Sequence, residues 1–167
     1  MAAGSFRYRW GGPVYNVQGC FHCSLDSKGR LTLPARLKEA VKAHEQGSLV
    51  LAFFDDSLQG YTTEYWRKLE AKVSRRSLFS RKARSFVIGF LANAHEVSVD
   101  KLGRILIPPP LRSKGGLERE VVVLSYLGQI EIWDRDRFEN RQVAEAADMD
   151  VDDFVDDLAV PLDDEGM

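Results

Sequence analysis

The chain carries one ten-residue pattern twice, and this repeat restricts its fold more than any other feature. Residues 25–34 (LDSKGRLTLP) align with residues 99–108 (VDKLGRILIP), an offset of 74 positions that carries Asp26 onto Asp100. Asp, Gly, Arg and Pro recur in place, and the apolar positions stay apolar. Self-similarity at a fixed spacing is the signature of repeated structural units. The sequence therefore predicts two copies of one unit in tandem.

The two copies also agree downstream of this pattern. Residues 49–54 (LVLAFF) parallel residues 121–126 (VVVLSY) at an offset of 72, and residues 58–61 parallel residues 130–133. Branched and aromatic runs bounded by Gly, Asp and Pro favour strands. Each copy is therefore predicted to form a strand, a tight turn, a strand, a short basic segment, a strand, a turn, a strand and a helix.

The tight turn is the five-residue pattern Asp-x-x-Gly-Arg. Asp26 and Asp100 can accept hydrogen bonds from backbone amides two residues further on. Gly29 and Gly103 supply the positive φ that closes a hairpin with a bulge. The two aspartates and the two glycines are therefore predicted to shape the turns, and the proline after each second strand is predicted to stop ladder pairing there.

Helices and charge divide the chain into four predicted segments. Helices are predicted over residues 64–73 with Thr62 or Thr63 as the N-cap, over residues 80–92, and from Arg135 or Asp136 to residue 146. The segments are an irregular N-terminal extension (1–18), the first copy with its helices (19–91), the second copy with its helix (92–146) and an acidic tail (147–167). High charge and low hydrophobicity predict that the tail is disordered or loosely docked.

The net charge of −2 conceals an asymmetry along the chain. Residues 145–167 hold ten acidic residues and no Lys or Arg, so the other 144 residues hold all 23 basic residues and 15 of the 25 acidic ones, a balance of +8. A basic body fits contact with a polyanion, and a solvated surface is an equally good account of the charge alone. The basic residues are densest over residues 67–84, which form either a phosphate-facing patch or the wet side of an amphipathic helix.

Other classes of protein are disfavoured. The chain has no run of about 18 apolar residues that would predict a membrane span, and no apolar core of a signal peptide, so a cytoplasmic protein is expected. Cys20 and Cys23 lack the further ligands that a structural zinc site needs, and reduced thiols are expected. No nucleophile–base arrangement or phosphate-binding loop is recognisable, so we expect no enzyme activity, cofactor, metal or small-molecule substrate.

The doubled motif resembles the MraZ family, whose members carry two copies of the SpoVT/AbrB-type swapped-hairpin domain. The resemblance rests on residues 24–36 and 99–108, together with Ala92-Asn93-Ala94 and Glu131-Ile132-Trp133-Asp134, and it covers roughly residues 19–146. It implies an α+β fold, namely a tandem pair of swapped-hairpin (AbrB-like) β-barrel units with helices after each copy.

The resemblance also implies a function. It implies a bacterial, sequence-specific transcriptional regulator that binds double-stranded promoter DNA of a cell-division and cell-wall gene cluster, and we expect it to act through repeated short sites. It further implies ring-shaped homo-oligomers and association with the nucleoid. The alternative is a protein-interaction scaffold or an antitoxin-like partner on the same fold, in which the acidic tail is the working part and the basic face is merely solvated.

The match to the family motif identifies the central DNA-binding candidates. Basic residues of both hairpins face DNA in this fold family, and Arg30 and Arg104 are the positions carried over. A guanidinium at a hairpin tip can enter a groove or bind a phosphate with two parallel hydrogen bonds. Each arginine could instead neutralise Asp26 or Asp100 within its own turn, and the two interpretations are compatible because an aspartate can orient an arginine.

Further basic residues lie beside the two turns. Lys28 and Lys101 flank the turns and are predicted to contact phosphates, with solvated lysines as the alternative. Arg36, Lys38 and Arg112 lie just beyond the second strands and could extend either footprint. The second copy has no basic counterpart of Arg36.

Overall fold

A computed structural model describes residues 17–43, 47–75, 80–126 and 128–147, which form eight strands and five α-helices. The first copy contains β1 (Gly19–Ser24), β2 (Arg30–Thr32), α1 (Ala35–Ala43), β3 (Ser48–Phe54), β4 (Ser57–Thr62), α2 (Thr63–Ser74) and α3 (Arg81–Gly89). The second contains β5 (His95–Ser98), β6 (Arg104–Leu106), α4 (Pro109–Gly115), β7 (Glu120–Tyr126), β8 (Gln129–Asp134) and α5 (Arg135–Ala146). The predicted α+β class is confirmed.

The three predicted helices are present, with small differences at their ends. Thr62 is the N-cap of α2, because its side-chain oxygen accepts a hydrogen bond from the backbone N–H of Tyr65 at 3.1 Å. Ser80 caps α3 in the same way. Helix α3 ends at Gly89 rather than at residue 92, and a single 3₁₀ turn, Leu91–Asn93, follows it.

Two further helices correct the prediction of a short basic segment between the second and third strands. In the first copy, α1 buries Leu37 and Val41, which lie one turn apart on the same face. In the second copy, α4 begins at Pro109, a position where the missing N–H of proline leaves no helical hydrogen bond unmade. Both helices are short and offer few apolar positions, so their periodicity is weak in the sequence.

Six strands form one antiparallel sheet in which strands of the two copies are interlocked. The order is β1-β7-β8-β4-β3-β5, so the first strand of each copy pairs with the third strand of the other copy. The order reads the same from either end when the copies are exchanged. The sheet therefore has an approximate two-fold axis between β4 and β8, where Gln59 pairs with Glu131.

The second strands of the two copies pair with each other and form a separate two-stranded antiparallel ribbon. In this β2–β6 ribbon, Arg30 lies opposite Leu106, Leu31 opposite Ile105, and Thr32 opposite Arg104. The predicted hairpin between the first two strands of a copy holds for one residue pair, Leu25 with Leu31. Beyond that pair the two strands diverge: β1 pairs with β7 over six residue pairs, and β2 pairs with β6 over three.

The main apolar core lies between the six-stranded sheet and the ribbon. Leu31 and Ile105 of the ribbon are fully buried in one cluster with Leu49 and Leu51 of β3. Helices α1 and α4 close this cluster with Leu37 and Leu111, which is why both helices form despite their length.

The opposite face of the sheet carries a second apolar cluster. Because side chains alternate along a strand, Val50 and Ala52 of β3 point away from the main core. They pack with Trp66 of α2 and with Phe90, which follows α3. Helix α2 therefore lies on the sheet face opposite to the β2–β6 ribbon, and α3 reaches the same cluster through the ring of Phe86, which stacks on Phe90.

The chain divides into two compact units, residues 1–135 and residues 136–167. In the second unit the structure describes residues 136–147, and all but the last of these belong to α5. Within this helix, Nε of Arg141 donates a hydrogen bond to Oε1 of Glu145 at 2.5 Å. None of the helices in the described ranges is long and apolar enough to cross a membrane. Most of the predicted N-terminal extension and the predicted acidic tail, from residue 148 onward, lie outside the described residues.

Candidate nucleic-acid interface

The first turn is organised by the carboxylate of Asp26. Its Oδ1 accepts hydrogen bonds from the backbone N–H groups of Lys28 and Arg30, both at 2.9 Å. Its Oδ2 accepts from Nε of Arg30 at 2.6 Å. Gly29 adopts φ +80°, a conformation that favours glycine, and its N–H donates to the carbonyl oxygen of Asp26 at 3.0 Å. One carboxylate thus fixes both the backbone of the turn and the direction of the arginine.

The second turn has the same hydrogen bonds. Asp100 Oδ1 accepts from the backbone N–H groups of Leu102 and Arg104 at 2.9 Å, and Oδ2 accepts from Nε of Arg104 at 2.8 Å. Gly103 adopts φ +76°. The two turns differ at two exposed positions, where the second copy has Lys101 and Leu102 and the first copy has Ser27 and Lys28.

The hydrogen bonds of the turns lower the pKa of both aspartates. In the first turn, the hydrogen bond from the backbone N–H of Arg30 has the largest effect on the pKa of Asp26. The side chain of Arg30 and the backbone N–H of Lys28 lower this pKa further. Together they hold the pKa of Asp26 at about 2, well below its ordinary value. The pKa of Asp100 is lowered by the equivalent groups, with the backbone N–H of Arg104 first. Both carboxylates are therefore ionised at neutral pH.

This pKa shift predicts an acid-sensitive fold. Because the pKa of Asp26 is lower in the folded chain, its contribution to stability is complete above the unfolded pKa of about 3.9 and is lost as the pH falls towards 2. In Asp26→Asn this group does not titrate, so the gap in melting temperature between the wild type and the variant should narrow on acidification from pH 5 to pH 2. Thermal denaturation at several pH values measures this difference in melting temperature. A difference that does not change with pH would contradict the lowered pKa of Asp26.

The β2–β6 ribbon brings the two turn arginines onto one face. Leu31 and Ile105 point into the core, so Arg30, Thr32, Arg104 and Leu106 point outward together. Arg30 lies opposite Leu106, two residues beyond Arg104, and such diagonal positions are about 7–8 Å apart. The sequence alone does not indicate this arrangement, because it depends on the pairing of strands from different copies.

The other predicted site residues lie around this face. Lys28 and Lys101 are exposed at the two turns, and Arg36 is exposed in the first turn of α1. Lys38 of α1 and Arg112 of α4 are half-buried, and each lies against the turn glycine of the other copy.

The Cys-x-x-Cys segment lies on the edge strand β1. Cys20 is exposed and Cys23 is half-buried, and both thiols are free. Residues three apart in a strand point to opposite faces, so the two sulfur atoms are not brought together. Burial, and to a lesser degree Cys20, raises the pKa of the Cys23 thiol. Across the described residues, no group of three or more His, Cys, Asp or Glu side chains could hold a metal ion.

Comparison with known proteins identifies the class of this chain. The family model described as "MraZ protein, putative antitoxin-like" matches residues 17–88 and 90–158. A protein of Desulforapulum autotrophicum named Transcriptional regulator MraZ is 39% identical over 119 residues, which are 71% of this chain and 80% of that protein. Proteins of the same name from Desulfosudis oleivorans and Limosilactobacillus reuteri are 34% and 36% identical over 84% and 86% of this chain, and the matches cover 95% and 98% of their own length.

The fold and the paired turns define a protein of two interlocked repeats that present two arginines on a shared ribbon. The family match extends over both repeats, and the relatives align along most of the chain. The chain belongs to the MraZ family.

Proposed function

We propose that the chain is a sequence-specific, DNA-binding transcriptional regulator that contacts promoter DNA with the outward face of the β2–β6 ribbon. The observation that carries this proposal is the placement of Arg30 and Arg104 on one face of the ribbon, each with its Nε held by an aspartate. The name of the relatives, Transcriptional regulator MraZ, supports the same class of function.

An arginine fixed in this way is well suited to reading DNA. The aspartate binds Nε, which leaves the two Nη groups for O6 and N7 of a guanine or for a phosphate. A two-stranded ribbon fits the major groove of B-DNA, which is about 12 Å wide. Leu102 and Leu106 are 68% and 53% exposed beside the arginines and can contact the methyl group of thymine. The face thus offers polar and apolar contacts to base edges.

Basic residues around the ribbon would supply the part of the DNA affinity that does not depend on the base sequence. Lys28 and Lys101 are exposed at the turns, one in each copy, and Arg36 is exposed on α1. Cations at these positions can contact phosphates on either side of a groove and fix the register of the ribbon on the duplex.

The interlocked strands support a larger assembly. The pairing of β1 with β7 and of β5 with β3 is what a swapped-hairpin barrel built from copies 19–91 and 92–146 requires. Strands β1 and β5 are the edges of the sheet within the described residues, and contact with a second subunit would cover them. A ring-shaped homo-oligomer would present several ribbons and bind repeated short sites with high avidity. We propose that this homo-oligomer binds the promoters of a cell-division and cell-wall gene cluster and associates with the nucleoid.

Salt-dependent DNA binding tests the proposed function. Fluorescence anisotropy would compare a duplex from the region upstream of the gene that encodes this chain (the upstream duplex) with a shuffled duplex of equal length, between about 50 and 200 mM salt. A protein that contacts six to ten phosphates loses about 10³–10⁵ in affinity over this range. We expect that steep loss with both duplexes, and tighter binding to the upstream duplex at every salt concentration. Binding that is weak and independent of salt would refute the proposal.

A second candidate function is a protein-interaction scaffold or an antitoxin-like partner, which the description of the family model favours. In that case the acidic tail, which lies outside the described residues, would bind a basic protein. Deletion of residues 148–167 separates the two functions: a DNA-binding regulator should keep its DNA affinity or bind more tightly, whereas a scaffold should lose its partner.

A further inference from the structure

Each turn glycine is covered by a basic side chain from the other copy. A Cβ atom built on Gly29 would lie 2.5 Å from Cζ and 2.7 Å from Nε of Arg112, and one built on Gly103 would lie 2.6 Å from Cδ and 3.2 Å from Nζ of Lys38. A side chain at either position would have to displace the end of this flexible cation, and the positive φ of each glycine remains the main reason for glycine there. The basic side chains therefore rest directly on the backbone of the turns.

The crossing of these side chains between copies follows from the ribbon. Because β2 and β6 are antiparallel, the end of each strand lies beside the turn that precedes the other. The backbone confirms this proximity: the N–H of Leu33 donates to the carbonyl oxygen of Gly103, and the N–H of Ile107 donates to that of Gly29, both at 3.0 Å. Helices α1 and α4 begin just after these contacts and carry their cations over the turns.

Lys38 and Arg112 are equivalent positions of the two copies. The offset of 74 that relates the turns also carries Lys38 onto Arg112, and each backbone N–H makes the same first helical hydrogen bond, to Pro34 and to Pro108. Each copy thus delivers one cation to the turn of the other, at symmetry-related places in the fold.

These two cations differ from the turn arginines in their electrostatics. Nε of Arg30 lies 2.6 Å from Oδ2 of Asp26, and Nε of Arg104 lies 2.8 Å from Oδ2 of Asp100. Each ion pair therefore adds no net charge. Within the described ranges, no carboxylate pairs with Lys38 or Arg112. Nε of Arg112 is moreover buried without a hydrogen-bond partner there, an arrangement that costs stability and is uncommon in native proteins.

We propose that Lys38 and Arg112 are DNA-backbone contacts, so that each phosphate site is built from both copies: the first turn with Arg112, and the second turn with Lys38. This inference rests on the proposed function and adds to it two residues that contribute positive charge beside the turns. The two sites are unequal. A guanidinium can bind a phosphate with two parallel hydrogen bonds, whereas an ammonium acts as a point charge.

Arg112→Met tests the inference, because methionine keeps an unbranched apolar stem over Gly29 and removes the charge. We expect about tenfold weaker binding to the upstream and the shuffled duplex alike, with a slope of log affinity against log salt that is smaller by about 1. The melting temperature should not fall, since a buried donor without a partner is also removed. Lys38→Met should have the same effects at the second turn, and Arg112→Lys should retain the slope.

The control is Lys114→Met, which removes the same charge from the same helix. Lys114 lies two residues after Arg112 and therefore about 200° around α4, so its substitution should leave the slope unchanged. If Arg112→Met and Lys38→Met melt at lower temperature and keep the wild-type slope, both side chains only cover the glycines and the inference is wrong. The same conclusion follows if neither measurement changes. If the wild-type protein itself shows no salt-dependent binding to either duplex, the proposed function fails, and the inference fails with it.

Discussion

Replacing Arg30 and Arg104 together with Ala is expected to weaken binding to the upstream duplex by about 2–6 kcal/mol. Each arginine that contacts a base edge contributes about 1–3 kcal/mol, and both contacts are removed at once. A homo-oligomer loses the group in every subunit, so avidity can enlarge the measured effect. The dissociation constant at one fixed salt concentration is the measurement. Discrimination between the upstream and the shuffled duplex should fall in parallel.

The fold must survive in this variant for the result to be informative. An exposed arginine usually contributes no more than about 0.5 kcal/mol to stability. Arg30 is more than an ordinary surface residue, however, because its backbone and side chain both bind Asp26. The melting temperature and the mass by light scattering should therefore be measured on the same sample.

A matched pair of substitutions on the other face of the sheet identifies the surface that binds DNA. Lys82 and Arg84 are exposed on α3, within the basic stretch that the sequence offers as a rival patch. Lys82→Ala with Arg84→Ala removes the same charge as the turn pair and should leave discrimination between the duplexes intact. If this pair abolishes binding and the turn pair does not, the interface lies on α2 and α3.

The local parts of this structure are well predicted from the sequence. The branched runs of β3 and β7 and the threonine cap of α2 depend on near neighbours, so short-range patterns identify them. The same is true of the turn residues, because Asp26 bonds only to groups within four positions of itself.

The long-range parts could not be predicted in the same way. The repeat shows that two units exist, but nothing in it says that β1 pairs with β7 or that β2 pairs with β6. These pairings place Arg30 and Arg104 on one face. They also bring Lys38 and Arg112 to the opposite copies, although the sequence contains one signal for that pair: the offset of 74 joins two basic residues there, whereas it joins Arg36 to a proline.

Truncation of the ribbon core is expected to have the largest effect on stability. Leu31 is fully buried opposite the fully buried Ile105, and these two residues form the middle pair of the β2–β6 ribbon. Leu31→Ala should lower the free energy of unfolding by about 2–5 kcal/mol, through the lost apolar contacts and the cavity that remains. Urea denaturation measures this loss, and the slope with denaturant should stay unchanged.

The matched control is Leu106→Thr. Leu106 lies in the ribbon but is 53% exposed, and its equivalent in the first copy is Thr32. This substitution should therefore change the free energy of unfolding by no more than about 0.5 kcal/mol.

Urea denaturation of Leu31→Ala also tests whether the two copies fold as one unit. Because the sheet and its core contain strands of both copies, Leu31→Ala should still unfold in a single transition for residues 17–135. Two transitions, with the second copy melting as in the wild type, would show that the copies are stable separately, and the ribbon would then be a contact between domains instead of their common core.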